Sequence, residues 1–171
     1  MSVDVIIEDD RWGTAGLEAL AERAVGATLR HVGLEPEAWE IAVLAADDAR
    51  ISTLNEGFRG KAAATNVLSW PSAERGALAE GMRPDLPVGD PELGDLALAF
   101  ETCVEEAAAG GLAFDAHITH LVVHGTLHIL GYDHVRDGDG DLMEATEIAI
   151  LEALGIADPY SGNGSGGDGK D

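Results

Sequence analysis

Five of the six histidines in this chain lie between positions 117 and 134, and their spacing narrows the structural options sharply. On an α-helix advancing about 100° per residue, His117, His120, His124 and His128 fall in one stripe roughly 80° wide. The segment from about Asp115 to Ile129 is therefore expected to be a helix with imidazoles along one face. His124 and His128 form an i, i+4 pair, the spacing that lets two imidazoles on successive turns meet one ion. Gly131 permits a sharp exit from the helix, so the chain can turn back and bring in His134 as a third ligand. Three neutral imidazoles with one position open is the arrangement of catalytic zinc, where the ion lowers the pKa of bound water to about 7. Nickel and other divalent ions also accept imidazole. A fourth histidine would close the site, so His117 and His120 are read as donors behind the ligands, substrate contacts or solvated residues.

The run His124-Gly-x-x-His128-x-x-Gly131-x-x-His134 is close to the metzincin protease pattern. Gly125 stands where those enzymes carry the Glu that takes the water proton, which weakens a peptidase reading. The Asp137-Gly-Asp-Gly-Asp141 run fails the calcium-loop template, because Leu142 replaces the turn glycine and Ile148 the bidentate glutamate. It reads instead as an acidic loop leading to an N-cap at Asp141, with Glu144 three residues on. Glu147 reads as a solvated carboxylate unless the last helix covers the cleft, and Cys103 as a small core residue.

Around this block the pattern alternates strands and helices. Val3, Val5 and Ile7 suit a half-buried strand, and Leu17 to Val25 a helix capped by Thr14 and stopped by Gly33. Ile41 to Ala46 reads as a second strand, followed by a helix capped by Asp48 that carries Ile51, Leu54 and Phe58. Val67 to Trp70 is a third strand, residues 71–94 a long irregular excursion, and Leu96 to Phe100 a fourth strand. Helices follow over 101–109, about 115–129 and about 141–154. The order predicts an α+β domain over 1–160 with a mixed four-stranded sheet and about five helices. Residues 161–171, glycine-rich and without an apolar side chain, are expected to form a disordered tail.

Composition bounds the partners. Ten Lys and Arg against 32 Asp and Glu give a net charge of −22, which argues against a general nucleic-acid or anionic-membrane binder. The bases are unevenly placed: Arg50, Arg59, Lys61, Arg75 and Arg83 lie in a net-positive window with only three acids. No apolar run reaches the roughly 20 residues a bilayer needs, and no signal-peptide pattern opens the chain, so a cytoplasmic location is expected. The single cysteine permits neither an internal disulfide nor a thiolate cage.

His124-Gly-Thr-Leu-His-Ile-Leu-Gly-Tyr-Asp-His134 resembles the signature of the YbeY family of bacterial endoribonucleases. The likeness extends to Leu54 through Gly60, Thr65 through Pro71, Gly94-Asp95, Met143-Glu144, Glu147 and Leu154 through Tyr160. Two positions depart from it, Asn66 where the family usually has Asp and Trp70 where it has Phe. The resemblance implies a zincin-like fold and a zinc-dependent, single-strand-directed endoribonuclease with His124, His128 and His134 on the metal. It also implies a role in ribosomal RNA maturation, at the 3′ end of 16S RNA, and in ribosome quality control. The implied partners are ribosomal RNA and the small subunit, with basic ribosomal proteins suited to the acidic surface and no DNA. The family's important arginine maps onto Arg59, which can clamp a phosphate in a bidentate way. A zinc peptidase or other metallohydrolase, and a ribosome-assembly factor with a non-catalytic metal, are the competing readings.

Overall fold

Strand β1 (Val3–Ile7) turns Val3, Val5 and Ile7 to one face, and β2 (Glu40–Ala46) turns Ile41, Val43 and Ala45 to the same side. The structure, a computed structural model, describes residues 3–59, 65–77 and 79–160, for 57–59 the backbone alone. The expected tail at 161–171 lies outside the described residues, as does Lys61. Between the first two strands run α1 (Asp10–Thr14) and α2 (Leu17–Val32); then come α3 (Asp48–Arg59), β3 (Val67–Pro71) and β4 (Glu92–Ala99). Three helices complete the order: α4 (Phe100–Ala109), α5 (Phe114–Ile129) and α6 (Asp137–Ala153). The sheet order is β1-β2-β4-β3, parallel except for β3, which pairs antiparallel with β4 at the edge.

The period-2 pleat of β4 divides the interior. Leu96 and Leu98 face the main core with α2 and α5, while Ala97 and Ala99 face a smaller cluster with Ile51 of α3, Leu68 and Trp70. Each fully buried Leu or Ile contributes about 2 kcal/mol. α5 buries Ile118, Val122, Gly125 and Ile129 against the sheet, which leaves its histidine face toward the open side. The α+β class and the mixed four-stranded sheet are as expected, with six α-helices among the described residues.

Several boundaries moved for identifiable reasons. Thr14 closes α1 and does not cap α2; α1 is held by Asp9, whose carboxylate accepts from the Arg11 N–H, and by the buried Trp12 bonded to the Ala46 carbonyl at 2.8 Å. Asp47 accepts from the Arg50 N–H at 2.9 Å and caps α3, so Asp48 lies one residue inside. α6 begins at Asp137, four residues before the expected cap at Asp141. Its Gly-rich first turn is held from a distance: the Glu80 carboxylate accepts from the Gly138 N–H at 2.6 Å, and Arg136 pairs with Asp139. Local propensity could not register a cap contributed 58 residues away.

The irregular stretch after β3 is pinned by Arg75. Its guanidinium donates to the carbonyls of Leu93 at 3.1 Å and Ile129 at 2.9 Å, the latter in the last turn of α5. Arg50 pairs with Glu8, and Arg83 reaches the Val32 carbonyl. Three bases of the net-positive window therefore tie elements together.

Candidate metal centre

α5 ends at Ile129, and Gly131 (φ +106) turns the chain back; a Cβ there would lie 2.3 Å from the Arg75 carbonyl oxygen. Glycine is needed on both counts, conformation and space. The Asp133 carboxylate then accepts from the Val135 N–H at 2.7 Å and holds the turn that carries His134. Donor atoms of His124, His128 and His134 lie within 4.8 Å of one another, with ring centroids 4.6 to 5.9 Å apart. The three histidines face a cleft of about 980 Å³ bounded by β3, α5 and α6.

The hydrogen bonds behind the rings set their tautomers. His128 Nδ1 lies 3.0 Å from the Tyr132 carbonyl oxygen, which only accepts, so Nδ1 carries the proton. Burial, then the neighbouring His124 and His134, pushes the His128 pKa down to about 4, so the ring is neutral at pH 7 and Nε2 is a bare lone pair. His124 Nδ1 donates to the Glu147 carboxylate. Burial acts to raise the Glu147 pKa, but hydrogen bonds from His120 and His124 outweigh it and hold the group below the usual carboxylate range. The donor set therefore fits a divalent ion: two imidazoles with their second nitrogen free, and a third on the open rim.

The depressed His128 pKa has a consequence for stability. The folded state refuses a proton that the unfolded chain accepts near pH 6.5, so this contribution is complete above pH 6.5 and is lost as the pH falls toward 4. Metal-free protein is expected to lose about 2 kcal/mol of unfolding free energy between pH 7 and pH 5 from this group. Urea titrations at the two pH values check this; an equal loss in His128→Gln would assign the slope to other groups.

The remaining histidines divide. His120 Nε2 lies 3.2 Å from Glu147 and 3.3 Å from the Tyr160 hydroxyl, within the cleft. His117 Nε2 meets Glu106 at 2.9 Å, away from the triad. Glu106 also accepts from the Asn66 amide at 3.0 Å. An Asp at position 66 would set two carboxylates together, so the asparagine suits this neighbour. Trp70 packs in the smaller cluster.

Glu147 and Tyr160 were not legible as parts of the site. Glu147 is 1% exposed, because α6 covers the cleft. A signal was available: it shares the helical stripe Met143, Glu147, Ile150, Leu151, where a carboxylate needs partners. Cys103 is buried and its thiol is pushed up to about 12 by burial, an inert core group as expected. Asp137, Asp139 and Asp141 all lie in α6, which excludes the calcium-loop conformation. The Arg59 backbone closes α3.

Sheet order, the helix carrying the histidines and the glycine exit together define an α+β protein with a candidate metal centre. The family model described as Endoribonuclease YbeY matches residues 5–155. A protein of Ruegeria sp. (strain TM1040) named Endoribonuclease YbeY is 52% identical over 164 residues, covering 94% of this chain and 96% of its own. One of the same name from Cereibacter sphaeroides is 55% identical over 163 residues, covering 92% and 98%. The fold is similar to the solution structure of TM1509 from Thermotoga maritima, with a TM-score of 0.53 and 20% identity over 99% of each chain. This chain belongs to the YbeY family.

Proposed function

We propose that the protein is a metal-dependent endoribonuclease that cuts single-stranded RNA during ribosomal RNA maturation, at the 3′ end of the 16S RNA, and in ribosome quality control. The observation that carries the reading is the convergence of His124, His128 and His134 at the rim of an open cleft. The family supports it, since the relatives at 52% and 55% identity bear the name endoribonuclease. Zinc is the ion we propose, on three histidines with one position open; when bound it supplies Lewis-acid stabilisation of the charge that builds on a phosphodiester. Arg59, at the end of α3, is proposed to bind a phosphate of the substrate and to share that charge. The working unit is residues 1–160, acting in the cytoplasm on the small subunit, where basic ribosomal proteins complement a net charge of −22. No helix among the described residues is long and apolar enough to cross a membrane.

Two features weigh against peptide hydrolysis. A Cβ at position 125 would lie 2.6 Å from Leu96 Cδ2, so a general-base side chain there requires the buried Leu96 to move. The edge strand is also poorly equipped to add a peptide strand. Ala99 N–H to Asn66 O and Ser72 N–H to Leu93 O fix the even-numbered residues of β3 as those bonded to β4. Of the outward residues, the Val67 N–H is taken by the Asn66 side chain at 2.6 Å and Pro71 has none, which leaves Ser69. Strand addition needs a row of such donors.

The test is cleavage of a single-stranded RNA spanning the 3′ end of small-subunit RNA by protein of assayed zinc content. Cleavage is expected to follow zinc content, to stop with a chelator and return with zinc, and to fall about tenfold or more in folded Arg59→Ala. Intact RNA with zinc bound, together with cleavage of peptides, would return the peptidase reading.

A further inference from the structure

Glu147 is 1% exposed, and a carboxylate removed from water is costly unless its charge and its lone pairs are matched. Among the described residues its ion-pair partners are His120 and His124 and no Lys or Arg. Oε2 accepts from His124 Nδ1, while Oε1 meets His120 Nε2 at 3.2 Å and accepts from the Tyr160 hydroxyl. Tyr160 itself is placed by a local turn, its N–H donating to the Asp158 carboxylate at 2.7 Å. Its ring stands edge-on to His120, with centroids 5.6 Å apart. The segment after α6 is thus folded back onto the carboxylate, and the carboxylate onto a histidine of the triad.

We propose that Glu147 is a positioning residue of the metal centre, fixing the His124 ring and its tautomer through Nδ1 while His120 and Tyr160 hold the carboxylate in place. Three features of the contact support this. Among the described residues the carboxylate uses its second oxygen for His124, so the ring is oriented by a carboxylate acceptor. With Nδ1 protonated by that bond, Nε2 is left as the nitrogen that can bind an ion. The negative charge beside the imidazole makes it a stronger donor to a cation, and a cation in turn offsets a buried charge that has no Lys or Arg partner among the described residues. Tyr160 then acts on the centre at one further remove, through the carboxylate it bonds. The inference rests on the proposed metal centre and deepens it.

The experiment measures zinc affinity by competition with a chromophoric chelator, and the visible spectrum of the cobalt(II) form, for the parent chain, Glu147→Gln and Tyr160→Phe. Gln keeps the volume and one acceptor but removes the charge. Glu147→Gln is expected to bind zinc 10- to 100-fold more weakly and to shift the cobalt spectrum. Tyr160→Phe is expected to lose several-fold in affinity in the same direction. A carboxylate that merely packs α6 onto α5 would lower the urea midpoint of the metal-free protein and leave zinc affinity unchanged. Folded Glu147→Gln with affinity within twofold of the parent overturns the proposal. Should that variant not fold, Tyr160→Phe decides: weaker binding supports the proposal and unchanged binding overturns it. A parent chain that binds no zinc overturns the metal reading itself, a result distinct from either.

Discussion

Gly125→Glu, which would complete the His-Glu-x-x-His motif of the zinc proteases, is expected to cost about 4 kcal/mol or more of stability and to yield no peptidase. The Cβ alone would lie 2.6 Å from Leu96 Cδ2, and Leu96 is 1% exposed in the middle of the sheet. Forcing a side chain into a packed core costs about 1–3 kcal/mol. A carboxylate wedged between α5 and β4 adds a desolvation penalty of a few kcal/mol, since the main-chain groups around it are already spent on helix and sheet. Gly125→Ala separates the two effects, with a loss of about 1–3 kcal/mol from crowding alone. Urea unfolding of the three proteins measures both. A stable Gly125→Glu variant that hydrolysed peptides would mean that the helix can rotate away from Leu96, and would restore the peptidase alternative.

That collision also explains why the sequence was informative here. The missing glutamate is visible in the motif, but the reason for it lies in the opposing strand, which no local pattern reports. The same division runs through the molecule. Val3, Val5 and Ile7 announce β1 because a half-buried strand writes its period directly into the chain. The histidine stripe announces the open face of α5 in the same way, and Gly131 its exit. What escaped were interactions between segments far apart: Glu80 at the start of α6, Arg75 on the last turn of α5, and Glu147 folded over His124. Each is an ordinary polar residue in its own neighbourhood and acquires meaning only from the element it meets.

Arg59 shows the complementary case. Charge distribution singled out a basic window, yet Arg50, Arg75 and Arg83 are committed to Glu8 or to main-chain carbonyls. A local excess of bases therefore counted structural residues together with any that face a substrate. The family resemblance, not the charge count, is what distinguishes Arg59 among them.

His128→Gln and His120→Gln, about two turns apart on one stripe of α5, are expected to behave oppositely, and the contrast locates the ion. Two groups of side chains among the described residues have donor atoms close enough to share a cation: His124 with His128 and His134, and His124 with His120 and Glu147. His124 belongs to both, so its removal cannot separate them. In the first group the second nitrogen of His128 is occupied by the Tyr132 carbonyl, and that of His124 by Glu147, which leaves one lone pair on each for a metal. In the second group the same carboxylate already accepts from His120, His124 and the Tyr160 hydroxyl, so an ion there would have to displace those protons. The first group is therefore the better site. Zinc bound by four protein ligands in small domains is held by about 10–16 kcal/mol, or roughly 3 kcal/mol per ligand. His128→Gln is accordingly expected to lose at least about a hundredfold in zinc affinity and nearly all cleavage of RNA, while its far-ultraviolet circular dichroism stays that of the parent. His120→Gln, which removes one of three donors to Glu147, is expected to stay within about tenfold of the parent in affinity. Chelator competition on both variants reads the difference; tight binding by His128→Gln with loss in His120→Gln would move the ion to the carboxylate side of the cleft.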